Sequence, residues 1–412
     1  MRQQDFLKPT GSLVTTTHGA LAFVPAPIPR AIELDQKTVR ALSEADTALG
    51  RLAGATPRLV NPYLIASPLL KREAILSSRI EGTMTTPEEL VLFEAGDAEP
   101  EGPSKTDDTR EVFNYIEALH YGLGRLKDLP ICLRLIREVH GKLLAGVRGN
   151  ETRPGEFRIS QNFISSQAVT GTPEERLRNA RYVPPPVPQM GALLNDLEGA
   201  IQEALTSPNA PPVLVHLALV HYQFEAIHPF ADGNGRIGRL LVPLLLCSHE
   251  RLSEPLLYVS SFFERNRAQY YDLMLDVSQT GNWSAWIRFF LEAVRSCALE
   301  AISQASELMK LREDYHARFQ SARRSSLLMK LIDELFKTPS TTIGKASTLL
   351  GITPAAASAN IDKLVEAGIL VERTARKRNR RYLAQGIVRL IAEPAAPPQP
   401  PQARQQTFDL GG

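Results

Sequence analysis

The twelve residues His228 to Arg239, "HPFADGNGRIGR", decide how the surrounding chain folds. Upstream, "PPVLVHLALVHYQFEAI" repeats Val213, Leu217, Val220 and Phe224 at helical spacing, which predicts a buried helix. Pro229 disfavours continued helix at His228, so the histidine falls in a loop. Downstream, "RIGRLLVPLLLC" reads as a second apolar helix. Gly233 and Gly235 then occupy a loop that opens onto a helix N-terminus, where unpaired N–H groups and the positive dipole end attract anions. Glycine permits the close approach and the unusual φ angles such a loop needs. Arg236 and Arg239 are three apart on the first turn and can grip further phosphate oxygens. Asp232 is the hard oxygen ligand for the Mg²⁺ that a polyphosphate carries, and His228 can take a proton near pH 7. A Walker loop would need Gly-Lys-[Ser/Thr], and no lysine is present. An EF-hand starting at Asp232 would want an acid or amide at Arg236 and glycine at Ile237.

Outside the loop, the totals set bounds. A chain of 412 residues can form more than one domain. A formal charge of +2 gives no whole-molecule basic field for nucleic acid. Cys132, Cys247 and Cys297 are odd in number and scattered, which argues against disulfides and zinc and fits a reducing, cytoplasmic setting. The first residues, "MRQQDFLKPTGSL", lack an apolar signal core, and "LLVPLLLC" is too short to span a bilayer, so no membrane partner is expected.

Thirty prolines mark the seams. "FVPAPIPR" (Phe23 to Arg30) reads as an extended arm and "YVPPPVPQM" as an extended connector. Helical spacing runs from about Leu34 to Leu52, through "SPLLKREAILSSRIEG" to Gly82, from Asp108 to Leu144, and from Gly191 to about Lys310. "EFRISQNFIS" (Glu156 to Ser165) alternates and predicts a strand or hairpin. Beyond Ser326 the pattern is three short helices and a two-stranded turn, ending in a Pro/Gln-rich tail expected to be disordered.

"HPFADGNGRIGR" resembles the Fic family signature, H-x-F-x-[D/E]-G-N-G-R-x-x-R, at every fixed position. "PYLIASPLLKREAILSSRIEGTMTTPEEL" is similar to that family's N-terminal region, and "SSFFERNRAQYYDLML" with "GNWSAWIRFFL" to the segment after its motif. The resemblance implies a mainly α Fic fold with a small β-hairpin flap. It also implies AMPylation, the transfer of AMP from ATP to a Ser, Thr or Tyr hydroxyl of a protein target or of the enzyme itself. His228 would be the base, and Asp232 would hold Mg²⁺. Gly233, Asn234 and Gly235 would cradle phosphate, Arg236 and Arg239 would contact the β- and γ-phosphates, and Phe230 would anchor the loop. Some relatives transfer phosphocholine, UMP or phosphate instead. Homodimerisation is a further expectation of the family.

"SSRIEG" (Ser77 to Gly82) resembles the family's inhibitory motif, [S/T]-x-x-x-E-[G/N]. Ser77 and Glu81 are four apart, and Gly82 can end their helix. By resemblance Glu81 pairs with Arg239 and fills the space the γ-phosphate needs; the same glutamate removes AMP from targets in some relatives. The flap would bring Asn162, Phe163, Ile164 and Ser165 near the nucleotide, although the family often has Trp-Ile-Gly where Phe163-Ile164-Ser165 stand. Of Tyr270 and Tyr271, one would line the adenine and the other join the core. His216 and His221 are expected to be packed and hydrogen-bonded.

The resulting division is an N-terminal region at 1–107 with an inhibitory helix over about 68–82, and a catalytic core at 108–300. A helical linker at 301–325, a domain at 326–391 resembling a winged helix-turn-helix, and a tail at 392–412 follow. Arg373, Arg376, Lys377, Arg378, Arg380 and Arg381 would form a basic wing, and Ser358, Asn360 and Lys363 are the candidate base readers. The alternative function is therefore a DNA-binding regulator that uses the Fic core to sense nucleotide.

Overall fold

In the computed structural model residues 1–55, 63–96, 103–147, 153–164, 172–319, 325–373 and 380–393 are described. The chain opens with an antiparallel hairpin, β1 (Gly11–Thr15) and β2 (Leu21–Pro25), in register from Gly11↔Pro25 to Thr15↔Leu21. Helices α1 (Gln36–Ala55), α2 (Tyr63–Ile80), α3 (Pro87–Glu94), α4 (Pro103–Arg125) and α5 (Leu133–Leu143) follow. Next come α6 (Pro173–Arg178), α7 (Val187–Thr206), α8 (Val213–Ile227), α9 (Asn234–Ser248), α10 (Ser260–Arg265), α11 (Arg267–Thr280) and α12 (Trp283–Ala317). The C-terminal part holds α13 (Ser325–Lys337), β3 (Ser340–Thr342), α14 (Ile343–Leu350), α15 (Pro354–Glu366), β4 (Val371–Glu372), β5 (Arg381–Leu383) and α16 (Gln385–Ala392).

The core is built around α8. Every residue from Leu214 to Ile227 is buried, so the helix is enclosed on all sides. Each Leu or Phe there contributes about 1.5–3 kcal/mol relative to exposure. α7, α9, α12 and β2 surround it. α9 runs back from the signature loop with Leu240, Leu241, Leu244 and Leu245 buried. α2 is also enclosed, and buries Lys71, Arg72, Glu73 and Ser77 along with its apolar residues. α3 is fixed at its start by a capping box between Thr86 and Glu89, with Pro87 in the first turn.

Several expectations are corrected. The arm at Phe23 to Arg30 begins as strand, with Phe23, Val24 and Pro25 in β2: β2 pairs with β1, and Phe23 N–H also bonds Val183 O at 2.9 Å. The connector is helical from Val187, because Pro188 suits a first helical turn. The flap over Glu156 to Ser165 is not a hairpin among its described residues. It has one bridge, Ile164↔Tyr182. The facing segment, Pro184-Pro185-Pro186, has no N–H to donate. Side chains use its carbonyls instead, with Gln161 Nε2 on Pro184 O at 2.9 Å and Arg158 Nη2 on Pro185 O at 2.6 Å. α12 is a single 35-residue helix that continues through 300, as helical spacing to about Lys310 leads one to expect. The C-terminal sheet has three strands, in the order β3-β5-β4. The turn between α14 and α15 is at Gly351, φ +65°, with Thr353 capping α15.

Candidate functional site

α8 ends at His228, which adopts φ 50° and ψ 60°. A left-handed backbone is costly for a side chain with a Cβ and has to be held by its surroundings. Arg158 does this: its Nε bonds His228 O at 2.9 Å, and its own N–H bonds Pro229 O at 2.9 Å. The Arg158 guanidinium is buried among carbonyls, with Nη1 on Ser160 O at 3.1 Å. Burial pushes the Arg158 guanidinium down to about 10, with Tyr182 opposing. His228 Nδ1 faces Glu225 O at 3.3 Å, which fits an N–H at Nδ1 and a lone pair at Nε2. Burial pushes the His228 imidazole down to about 4, so the ring is neutral near pH 7.

The loop after His228 is closed by its own residues. Asn234 Oδ1 accepts from Phe230 N at 2.9 Å and Asn234 Nδ2 donates to Phe230 O at 2.8 Å. Asn162 Nδ2 donates to the same carbonyl at 2.9 Å. Phe230 is fully buried and stacks on His140, ring centroids 3.7 Å apart. His140 Nδ1 accepts from Gly155 N at 2.9 Å, which leaves Nε2–H to donate to Asp232 O at 3.1 Å. Burial pushes His140 down to about 4 and keeps it in that neutral form.

Gly233, φ 77°, caps α9, and the first helical bond is Ile237 N–H to Gly233 O. The N–H groups of Asn234, Gly235 and Arg236 precede it and have no acceptor within the helix. Arg236 is buried, with Nη1 on Glu111 Oε2 at 3.0 Å and Nη2 on Asp232 Oδ2 at 3.4 Å, while its Nε has no partner among the described residues. Asp232 Oδ1 accepts from Gly233 N at 2.6 Å, and its side chain is 55% exposed. The turn thus combines unsatisfied donors with one accessible carboxylate, a donor set suited to a phosphate chain and a hard cation.

Arg239 is buried and meets the end of α2. Its Nε bonds Ser77 Oγ at 2.8 Å, its Nη2 bonds Ser77 O at 2.9 Å, and Nη2 contacts Glu81 Oε1 at 2.6 Å. Glu81 lies just past α2, and Gly82 beside it has φ +99°. Burial opposes ionisation of Glu81, but the charge of Arg239, backed by Arg236, holds the carboxyl below its usual range. Burial likewise opposes the Arg239 charge, and Glu81 raises its pKa. A Cβ on Gly235 would stand 2.2 Å from Glu81 Oε1, so only glycine admits this carboxylate over the first turn of α9. Glu225 lies beneath, its Oε2 3.8 Å from His228 Nδ1 and its Oε1 buried without a partner among the described residues. Burial lifts the Glu225 carboxyl to about 8, with Arg239 opposing the rise and Glu81 adding to it.

The structure therefore gathers His228, Asp232, Gly233, Asn234, Gly235, Arg236, Arg239, Ser77, Glu81 and Asn162 around one loop. Ile164 lies at the bridge to Tyr182. Phe163 is set apart, packed against the small cluster of Ala20, Ala22, Leu177, Ala180 and Val183 beneath the Arg176 guanidinium. Tyr270 is core, its hydroxyl on His221 Nε2 at 2.8 Å. Tyr271 is half-buried under Arg267. Ser165 lies outside the described residues. Arg158, His140, Glu111 and Glu225 were not singled out by sequence. Each acts through the loop, and none carries a motif of its own.

Residues 39–124 match the Fic/DOC family N-terminal region, and residues 130–246 match the Fic/DOC family itself. The chain belongs to the Fic/DOC family. It is 28% identical over 272 residues, 64% of this chain, to "Protein adenylyltransferase Fic" of Drosophila virilis, and covers 47% of that protein. It is 29% identical over 188 residues, 45% of this chain, to the protein of the same name from Aedes aegypti, and covers 32% of it. The chain thus spans about a third to about half the length of these relatives. Among solved structures, a Fic family protein from Desulfovibrio desulfuricans G20 aligns with a TM-score of 0.53 at 18% identity. That alignment covers 86% of this chain and 98% of the other. The fold is the Fic fold, mainly helical with small antiparallel sheets. Among the described residues no helix is long and apolar enough to cross a membrane.

Proposed function

We propose that this protein is an adenylyltransferase that moves AMP from ATP onto a protein hydroxyl, held in check by Glu81. The observation that carries the reading is the convergence of a neutral His228 with the first turn of α9, whose leading N–H groups have no acceptor within the helix and where Arg236 Nε has no partner among the described residues. Relatives named for protein adenylyltransfer support the same class of reaction. The target hydroxyl oxygen attacks the α-phosphorus, its proton passes to His228 Nε2, and the bond to pyrophosphate breaks. The N–H groups of Asn234, Gly235 and Arg236, with the two guanidiniums, orient the phosphates and spread their charge. Asp232 is the residue that would hold Mg²⁺, which neutralises phosphate charge when bound. Glu81 stands on Arg239 at 2.6 Å, where a γ-phosphate would otherwise pair. For the C-terminal module, the order of helices and strands supports a winged-helix reading. DNA reading is not favoured: Asn360 is buried and bonds Ala356 O, and Arg373 turns to Glu88. Arg376, Lys377 and Arg378 lie outside the described residues.

The test is incubation of the Glu81→Gly variant with Mg²⁺ and ATP labelled at either the α- or the γ-phosphate. Label entering protein from α-labelled ATP only, and lost with His228→Ala, is expected. Transfer of the γ-label, or none from either, overturns the reading.

A further inference from the structure

The inhibitory turn, Glu81 to Thr86, hangs between α2 and α3, and both helices are gripped by the C-terminal module. α13 and α16 pack along α2. The last carbonyl of α13, Lys337 O, accepts from Ser67 Oγ at 2.7 Å and from Lys71 Nζ at 3.1 Å. The Lys71 ammonium is 3% exposed; it also donates to Ser67 Oγ at 2.8 Å and pairs with Glu94 at 3.1 Å. A buried cation at a helix C-terminus answers the negative end of that helix and fixes α13 against α2. One turn of α2 is tied a second time. Arg72 Nη1 donates to Gln304 Oε1 at 2.9 Å, and Gln304 Nε2 donates to Leu390 O of α16 at 2.7 Å. On the other side of the turn, Val91 of α3 packs with Leu383 and Val388. Lys345 Nζ donates to Ala95 O at 2.7 Å, and Arg373 pairs with Glu88 at 2.7 Å.

We propose that residues 325–392 act as a clamp that keeps Glu81 on Arg239, so that displacing the C-terminal module from α2 and α3 releases the catalytic centre. The physical basis is continuity. α2 carries Lys71 on the module and Arg72 on Gln304 of α12, which itself bonds Leu390 O of the module; one to two turns later it carries Ser77 on Arg239, so a shift at one end is carried to the other through a packed helix. The inference rests on the proposed adenylyltransferase reading for its rate measurement, but not for its exchange measurement.

Two full-length variants loosen the clamp at separate points. Lys71→Met keeps the apolar stem and removes the ammonium. Lys345→Ala combined with Arg373→Ala removes exposed contacts to α3 and leaves the buried core untouched. Each is made with Glu81 present and again in the Glu81→Gly background. With Glu81 present, AMP incorporation is expected to rise on the order of five- to tenfold, the scale of modest coupling between sites. In the Glu81→Gly background the rate is expected not to change. Hydrogen exchange at residues 81–86 is expected to quicken in both variants, whatever the reaction turns out to be. An equal change of rate in both backgrounds, or unaltered exchange at 81–86 in the double-alanine variant, overturns the proposal. If the Glu81→Gly protein transfers no AMP but the exchange quickens, the clamp stands and the assigned reaction falls.

Discussion

Glu81→Gly is the perturbation whose size the structure constrains best. Glu81 contributes one charge-assisted contact to Arg239, which is 1% exposed, while the Glu81 side chain remains 34% exposed. A contact of this kind is worth about 1.5–3 kcal/mol, and partial solvent access argues for the lower part of that range, about 1.5–2 kcal/mol. At 1.4 kcal/mol per factor of ten, the fraction of enzyme able to seat a γ-phosphate on Arg239 rises roughly ten- to thirtyfold. The fold should tolerate the change, because Arg239 keeps both bonds to Ser77, at 2.8 Å and 2.9 Å. The assay is the initial rate of AMP incorporation from α-labelled ATP at saturating Mg²⁺, with the melting temperature measured alongside. Glu81→Gln, which keeps shape and loses charge, should lie between the two. A rate within threefold of wild type, with ATP binding intact, would refute the argument that Glu81 restrains the site through Arg239.

Three further outcomes are expected. Because burial holds His228 near 4, its neutral form persists well below the usual imidazole range. The kcat/KM for ATP in Glu81→Gly, which reports the free enzyme, should therefore stay level from pH 8 to about pH 5 before falling; half-loss near pH 6.5, the ordinary imidazole value, contradicts it. Glu225, lifted to about 8, binds its proton more tightly folded than unfolded, so its burial costs little at pH 5 and progressively more as pH rises towards 8. The unfolding free energy of Glu225→Gln, read from denaturant melts, should thus gain on wild type across that window, by at most about 1.4 kcal/mol per pH unit, and parallel curves would remove the assignment. Arg158→Met leaves the carbonyls of His228, Ser160 and Pro185 without their donor. It should cost about 1–3 kcal/mol of stability and depress AMP transfer further than that loss explains; full activity at 20 °C would show that the His228 backbone does not depend on it.

Much of the site was legible because its parts are contiguous. The loop from His228 to Arg239 lies between two helices whose apolar spacing is unmistakable, and Ser77 with Glu81 share one turn near a glycine. What escaped was contributed from afar. His140 reads as one polar residue on an amphipathic helix, and only the fold stacks it on Phe230 under the Asp232 carbonyl. Arg158 sits in a stretch whose alternation suggested strand pairing, yet three facing prolines leave its side chain to satisfy the carbonyls there. Glu225 is one residue of a fully buried helix, and its position under Arg239 depends on Gly238, where a Cβ would come within 2.4 Å of Glu225 Oε1. The β1–β2 hairpin was missed because its strands have only five residues each.

The central claim is that a triphosphate rests on the first turn of α9 beside His228. A crystal structure of Glu81→Gly with Mg²⁺ and a non-hydrolysable ATP analogue measures this directly. The account predicts phosphate oxygens on the N–H groups of Gly235 and Arg236 and on the Arg239 guanidinium, with the metal at Asp232 and the α-phosphorus facing His228 Nε2. Nucleotide bound elsewhere, or Arg239 still turned to Ser77 with no phosphate near it, would contradict it.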